Sequence, residues 1–150
     1  MSSNTDVSKL DDLIHTLIDS VNGFENSAEE RTESRFVGFF REMAADRREA
    51  VALLQAQSRA LGGSPTEQGS MAAALHRRWE DLRAALGGGD KAVIQEVERG
   101  EDYLKEEFER ALADENISEE TRAVIRQANE SVRRGHDQAS MLKRELSAAG

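Results

Sequence analysis

Apolar residues recur along most of the chain at spacings of three and four, with polar or glycine-rich breaks between the runs. Such spacing places the apolar side chains on one face of a helix. Long stripes cover residues 8–28, 36–61, 90–111 and 118–146, and a shorter one covers 70–86. No run alternates as a strand would. The pattern therefore predicts an all-α protein with four long helices and one short helix.

The predicted core is one stripe from each long helix. In chain order the stripes are Leu10, Ile14, Leu17, Val21, Phe24 and Ala28; Phe36, Phe40, Met43, Ala50, Leu54 and Leu61; Ile94, Val97, Leu104, Phe108 and Ala111; and Ile125, Ala128, Val132, Ala139, Leu142 and Leu146. Because each stripe is one face wide, we expect the helices to bury these faces against one another in a single four-helix bundle.

Helix ends are marked by capping residues and by helix breakers. Ser8 followed by Asp11 forms a capping-box pattern at the start of the first helix. The Gly-Gly-Ser-Pro sequence at residues 62–65 ends the second helix, because glycine readily adopts the left-handed C′ conformation and proline cannot continue a helix. Asp90 and Ser118 are the expected N-caps of the last two long helices.

The short helix from Ser70 to Leu86 decides between two topologies. At 1.5 Å per residue it would span roughly 25 Å, which is about the height of the bundle. It can therefore carry the chain back along the bundle, so that the second and third long helices run parallel, as in ferritin-like folds. A five-helix up-and-down array is the alternative.

Length and charge limit the classes of function. The 150 residues with one proline predict a single domain, residues 1–150, with a core at about 8–147 and short disordered tails. The net charge of -9 disfavours nucleic-acid binding, which needs a basic face. No segment is apolar enough to predict membrane insertion, and the N-terminal residues do not form a signal peptide, so we expect a cytoplasmic protein. Without cysteine, a metal would need carboxylate and imidazole ligands.

Several motifs are specific enough to suggest a family. They are Leu10-x-x-Leu13-Ile14-x-x-Leu17-Ile18-Asp19, Leu61-Gly62-Gly63 with Gly69-Ser70, Leu75-His76-Arg77-x-Trp79-x-x-Leu82, and Glu98-x-Gly100-Glu101-Asp102. In these motifs the chain resembles a bacterial four-helix-bundle family of unknown function that is grouped with the ferritin-like superfamily. The resemblance extends over roughly residues 8–147 and implies the fold rather than an activity.

The iron-binding pattern of that superfamily is incomplete in this chain. Its di-iron members use two glutamates and two Glu-x-x-His motifs that point into the bundle. Here Glu49 is followed three residues later by Ala52, and Glu130 is followed by Arg133. We therefore do not expect a complete ferroxidase centre.

Four polar residues interrupt or flank the apolar stripes: Glu25, Arg47, Glu101 and His136. In the crossover topology, counting 1.5 Å per residue from the helix ends puts them at heights of roughly 26, 21, 20 and 27 Å, so they can share a layer. In the up-and-down array His136 would lie at the opposite end from Glu25. The crossover topology is thus a condition for this cluster.

Glycines beside these residues add a second signal, because glycine inside a helix costs about 1 kcal/mol relative to alanine. Gly100 and Gly135 directly precede Glu101 and His136, and Gly23 lies two residues before Glu25. Close helix approach or room for a bound group would offset that cost.

Two interpretations of the cluster remain open. In the first, Arg47 and His136 neutralise Glu25 and Glu101 in a buried ion-pair network. In the second, Glu25, Glu101 and His136 bind iron, manganese or zinc, with water completing the coordination shell. The leading functional hypothesis is a non-catalytic structural, interaction or stress-associated module that could form a homodimer through an exposed helix face. The alternative is a degenerate ferritin-like metal protein.

Overall fold

The structure is a computed structural model that describes residues 2–30, 36–66 and 89–149. Within these ranges the chain forms four helices and no strand: α1 Ser2–Glu30, α2 Val37–Ala60, α3 Asp90–Ala113 and α4 Glu119–Ala149. The prediction of an all-α four-helix bundle is confirmed. Among the described helices, none combines the length and apolar character that crossing a bilayer requires.

Contacts between helix ends establish the direction of each helix. Gln57, near the end of α2, donates a hydrogen bond to Thr121, near the start of α4, so α2 ends where α4 begins. Lys143, near the end of α4, pairs with Glu98 in the first half of α3 at 3.0 Å, so α3 begins where α4 ends. The helices α2 and α3 therefore run parallel, and the connection between them joins opposite ends of the bundle.

This direction agrees with the expected crossover topology and contradicts an array in which α4 runs antiparallel to α1, since α1 and α4 begin at the same end of the bundle. The helix α1 packs on α2, α3 packs on α4, and α2 packs on α4, while α1 and α3 touch more sparsely. Consequently α2 and α3 lie diagonally across the bundle axis. The predicted crossover helix, Ser70 to Leu86, lies outside the described residues.

The predicted stripes form the core, which is divided into two hydrophobic clusters. One cluster lies toward the start of α1 and includes Leu17 and Phe108. The other lies toward the end of α1 and includes Phe24 and Phe40. Among the stripe residues only Leu61, Leu142 and Leu146 are half-buried, and each packs on the edge of a cluster.

Two predicted helix ends are confirmed. Gly62, directly after the C-cap residue Leu61, has a φ of 87°, the left-handed conformation that glycine adopts without strain. Ser118 precedes the first residue of α4, and its Oγ accepts a hydrogen bond from the backbone N–H of Thr121 at 3.2 Å. Ser118 is therefore the N-cap of α4.

Two other predicted ends are wrong. α1 begins at Ser2, so Ser8 lies inside the helix and does not cap it. The helix turn that precedes Ser8 is stabilised because Asp6 is buried against the start of α4. Gly89, with a φ of 102°, occupies the N-cap position of α3, and Asp90 is the first helical residue. There Asp90 still stabilises the positive end of the helix dipole.

Candidate functional site

Two opposite charges meet at the centre of the bundle. Arg47 of α2 and Glu101 of α3 are 0% and 2% exposed and form an ion pair across the bundle axis. The Nη1 of Arg47 donates to Glu101 Oε2 at 3.1 Å, and its Nη2 donates to Oε1. Such a two-pronged contact matches the planar guanidinium to the carboxylate, and it is the strongest geometry available to this pair.

The first and fourth helices complete this central polar layer, which we define as Ser20, Arg47, Glu101 and Gly135. Ser20 of α1 accepts a hydrogen bond from Arg47 Nη1 at 2.8 Å. The guanidinium also lies 5.9 Å from the centre of the Phe24 ring, within the range of a cation–π contact. Each of the four helices therefore contributes one residue to the layer, which separates the two hydrophobic clusters.

Gly135 lets α4 approach the ion pair closely. A Cβ atom at this position would lie less than 3.0 Å from Arg47 Nη2, Glu101 Oε1 and the Met43 methyl group, closer than real Cβ atoms come. Of the two explanations that the sequence offered for this glycine, close helix approach and room for a bound group, the structure supports close approach. Gly23 differs, because a Cβ there would meet nothing within 4 Å.

Burial makes the balance of charge in this layer important. Each isolated charge costs several kcal/mol to remove from water, and a paired, hydrogen-bonded partner offsets that cost. Arg47 and Glu101 supply one positive and one negative charge, so the layer is electrically neutral. The buried Nε of Arg47 donates no hydrogen bond within the described part of the chain.

The other two predicted site residues lie at the same level of the bundle, on its outer surface. Glu25 pairs with Arg48, the residue after Arg47. His136 Nε2 lies 2.7 Å from Oδ1 of Asp102, the residue after Glu101. The four residues lie at one level of the bundle, as the heights predicted, but Glu25 and His136 pair with the neighbours of Arg47 and Glu101 rather than with the central pair. One residue corresponds to about 100° around a helix, which separates the inner pair from the outer pairs.

The positions of the acidic and histidine side chains argue against the metal-binding interpretation. Within residues 2–30, 36–66 and 89–149, no three acidic or imidazole side chains are grouped closely enough to hold a metal ion. The guanidinium of Arg47 occupies the space beside Glu101, and a cation next to it would be repelled. The central layer therefore does not fit a di-iron or single-metal centre as it stands. Metal binding by Glu25, Glu101 and His136 stays a prediction.

A second polar network, which the sequence analysis missed, joins α1 to the start of α4. Asp6 accepts hydrogen bonds from the Ser118 backbone N–H at 2.9 Å and from the Thr121 hydroxyl at 2.8 Å, and also from the Ser118 hydroxyl. Burial acts to raise the pKa of Asp6, but these hydrogen bonds outweigh it and hold the pKa below its usual value. The sequence pattern that could have indicated this network is the position of Asp6 one helical turn before Leu10, the first residue of the apolar stripe.

Asp19, also on α1, is a carboxylate whose pKa is raised. Burial raises the pKa of Asp19 to about 6, and the nearby His15 opposes this shift. Its Oδ2 is buried and accepts no hydrogen bond from the residues that the structure describes. Asp19 therefore destabilises the folded protein near neutral pH, when its carboxylate is charged.

Comparison with known families gives one match. Residues 5–114 match the family described as Domain of unknown function (DUF2383). This match includes most of α1 and all of α2 and α3, and it ends before α4, earlier than the resemblance over residues 8–147 predicted. No curated protein and no solved structure matches the chain. A bacterial origin and a grouping with the ferritin-like superfamily stay predictions.

Proposed function

This chain belongs to the family described as Domain of unknown function (DUF2383), and we propose that it acts as a non-catalytic helical bundle, a structural, interaction or stress-associated module. The observation that carries this proposal is the central polar layer. Arg47 neutralises Glu101 at the centre of the bundle, which is the position that metal ions occupy in di-iron four-helix-bundle proteins.

The contacts of the layer support a structural role for these charges. Both carboxylate oxygens of Glu101 accept hydrogen bonds from the guanidinium, and the side chain is only 2% exposed, so a substrate could reach it only if the pair moved. Gly135 brings the α4 backbone against the pair and excludes a ligand from that side. The pair is thus packed on several sides, unlike a catalytic carboxylate, which must reach the reacting group.

The charges carried by the four helices support an interaction role that does not involve nucleic acid. α1 has seven acidic side chains and one basic side chain, and α3 has eight and four. α2 and α4 are close to neutral, with three acidic and four basic side chains in α2 and five and six in α4. An acidic half of this kind repels phosphate backbones. On this basis we propose a protein partner. The cytoplasmic location expected from the sequence stays a separate proposal.

Elemental analysis of natively purified protein tests the proposal. We expect iron, manganese and zinc each to be far below one atom per chain. One atom per chain that survives dialysis would overturn it. The Glu101→Ala variant distinguishes the two interpretations further, with Glu106→Ala, an exposed glutamate of the same helix, as the matched control.

The two interpretations predict different behaviour of Glu101→Ala. If the ion pair is structural, the variant leaves Arg47 buried without a partner and loses about 3–5 kcal/mol of unfolding free energy. If Glu101 is a metal ligand, the variant loses bound metal, and the helices stay folded. Chemical denaturation and elemental analysis of the same samples separate these outcomes.

A further inference from the structure

The outward face of α2 has a narrow row of small side chains. Ala45, Ala52 and Ala56 are all exposed to solvent, and we call this row the α2 seam. Another helix can approach such a row to an axial distance of about 8 Å, the short end of the usual range, because no long side chain intervenes. Small residues alone do not show what packs there.

The charges beside the α2 seam identify the partner. Arg41 and Arg48, seven residues apart, lie on one side of the seam, and Glu42 and Glu49 lie about 100° further around the helix, on its other side. All four side chains are exposed. We call these the arginine flank and the glutamate flank. A surface with opposite charges on its two flanks is complementary to a copy of itself.

The flanks have fixed positions relative to the neighbouring helices. Arg48 pairs with Glu25, so the arginine flank faces α1. Arg134 of α4 is bound by both carboxylate oxygens of Asp46 and also attracts Glu49, so the glutamate flank faces α4. The surface around the α2 seam is therefore bordered by the acidic helix α1 on one side and by the near-neutral helix α4 on the other.

Charge complementarity selects one orientation of two copies. A two-fold axis parallel to α2 places the arginine flank of each copy against the glutamate flank of the other. Adjacent residues lie only 1.5 Å apart along a helix, so Arg41 meets the partner's Glu42, and Arg48 meets the partner's Glu49, at nearly the same level. An antiparallel pairing would instead oppose arginine to arginine and acidic α1 to acidic α1.

We propose that the α2 seam and its two flanks form a homodimer interface in which two α2 helices pack in parallel. The interface is symmetric and closed, as expected for a two-fold dimer. It goes beyond the proposed function and does not depend on metal content, since none of its residues belongs to the central polar layer. A contact built mainly on one helix pair is of modest area, so we expect a dimer that dissociates on dilution.

Light scattering of the full chain after size exclusion, over a series of protein concentrations, tests the interface. The parent should approach twice the chain mass of 16.6 kDa as concentration rises. Ala52→Lys should stay monomeric, because it places a long charged side chain in the seam. Ala113→Lys changes an exposed alanine of α3, the helix diagonal to α2, and should dimerise like the parent. Circular dichroism should show equal helix content in all three proteins.

A pair of charge reversals tests the parallel orientation. Arg41→Glu alone opposes two glutamates in the dimer, and Glu42→Arg alone opposes two arginines, so each variant should dimerise less than the parent. Mixing the two variants pairs opposite charges at both contacts and should restore dimers. A parent that stays monomeric at every concentration, an Ala52→Lys variant that still dimerises, or a mixture without restored dimers would each overturn the proposal.

Discussion

Gly135→Ala is the change that probes the packing of the central polar layer most sharply. A methyl group at this position would overlap Arg47, Glu101 and Met43, whose ends all lie within 3.0 Å of the added carbon. All three atoms lie at the ends of flexible side chains, but Arg47 and Glu101 cannot move aside freely because they are buried and hydrogen-bonded to each other. The methyl group can be accommodated only if the pair is displaced or if α4 moves outward.

Three terms determine the size of the effect. Alanine gains about 1 kcal/mol over glycine in a helix interior. Overpacking of a core costs about 1–3 kcal/mol, and separation of a buried ion pair costs about 3–5 kcal/mol. Because the added methyl strikes both members of the pair, we expect a net loss of about 1–3 kcal/mol of unfolding free energy.

Gly23→Ala is the matched control, since it makes the same substitution inside α1 with nothing within 4 Å of the new Cβ. This variant should gain about 0.5–1 kcal/mol from helix propensity. Urea denaturation followed by circular dichroism measures both changes. If Gly135→Ala stabilised the protein as much as Gly23→Ala does, then close packing of α4 on the ion pair would be refuted.

Three further predictions concern the polar contacts outside the layer. Asp6→Asn should lose about 1–3 kcal/mol of unfolding free energy at pH 7. Because folding lowers the pKa of Asp6, its stabilising contribution is complete above the usual pKa of 3.8, and the difference between variant and parent should shrink as the pH falls below 3.8 in a pH series of urea melts. Arg122→Met should lose about 1.5–3 kcal/mol in the same assay, because Arg122 donates to the backbone carbonyl oxygens of Leu112 and Asp114 at the end of α3, and an unchanged midpoint would contradict this role. Asp19→Asn should stabilise the protein by about 1 kcal/mol at pH 7, a value reduced for the partial exposure of Asp19. Because folding raises the pKa of Asp19, the stability of the parent falls as the pH rises from 3.8 through about 6, so the gain should vanish below about pH 4. A gain that did not change with pH would show another cause.

The fold could be predicted from the sequence because its helices follow local rules. Stripes at spacings of three and four marked the core, and the Gly-Gly-Ser-Pro stop at residues 62–65 ended α2 where the structure ends it. The start of α1 could not be predicted in the same way. Asp6 looks like a solvent-exposed residue in the sequence, and only its contact with Ser118, more than a hundred positions later, explains why the helix begins at Ser2.

The candidate site was half predictable for a similar reason. Helix length sets the level of a residue, so Arg47 and Glu101 could be placed near each other across the bundle. Which of two neighbouring residues faces inward depends on how the helix is rotated about its own axis, and the sequence did not reveal that Gly135, rather than His136, faces the core. Ser20 gave no signal, because a serine next to an apolar stripe is common on half-buried helix faces.

A double-mutant cycle on Arg47 and Glu101 tests whether these two charges satisfy each other in the core. The single variants Arg47→Met and Glu101→Met each leave one buried charge without a partner, and each should lose about 3–5 kcal/mol of unfolding free energy. The double variant replaces the pair with apolar side chains and should regain most of that loss, so we expect a coupling energy of about 3 kcal/mol or more. Strictly additive losses in the double variant would contradict it.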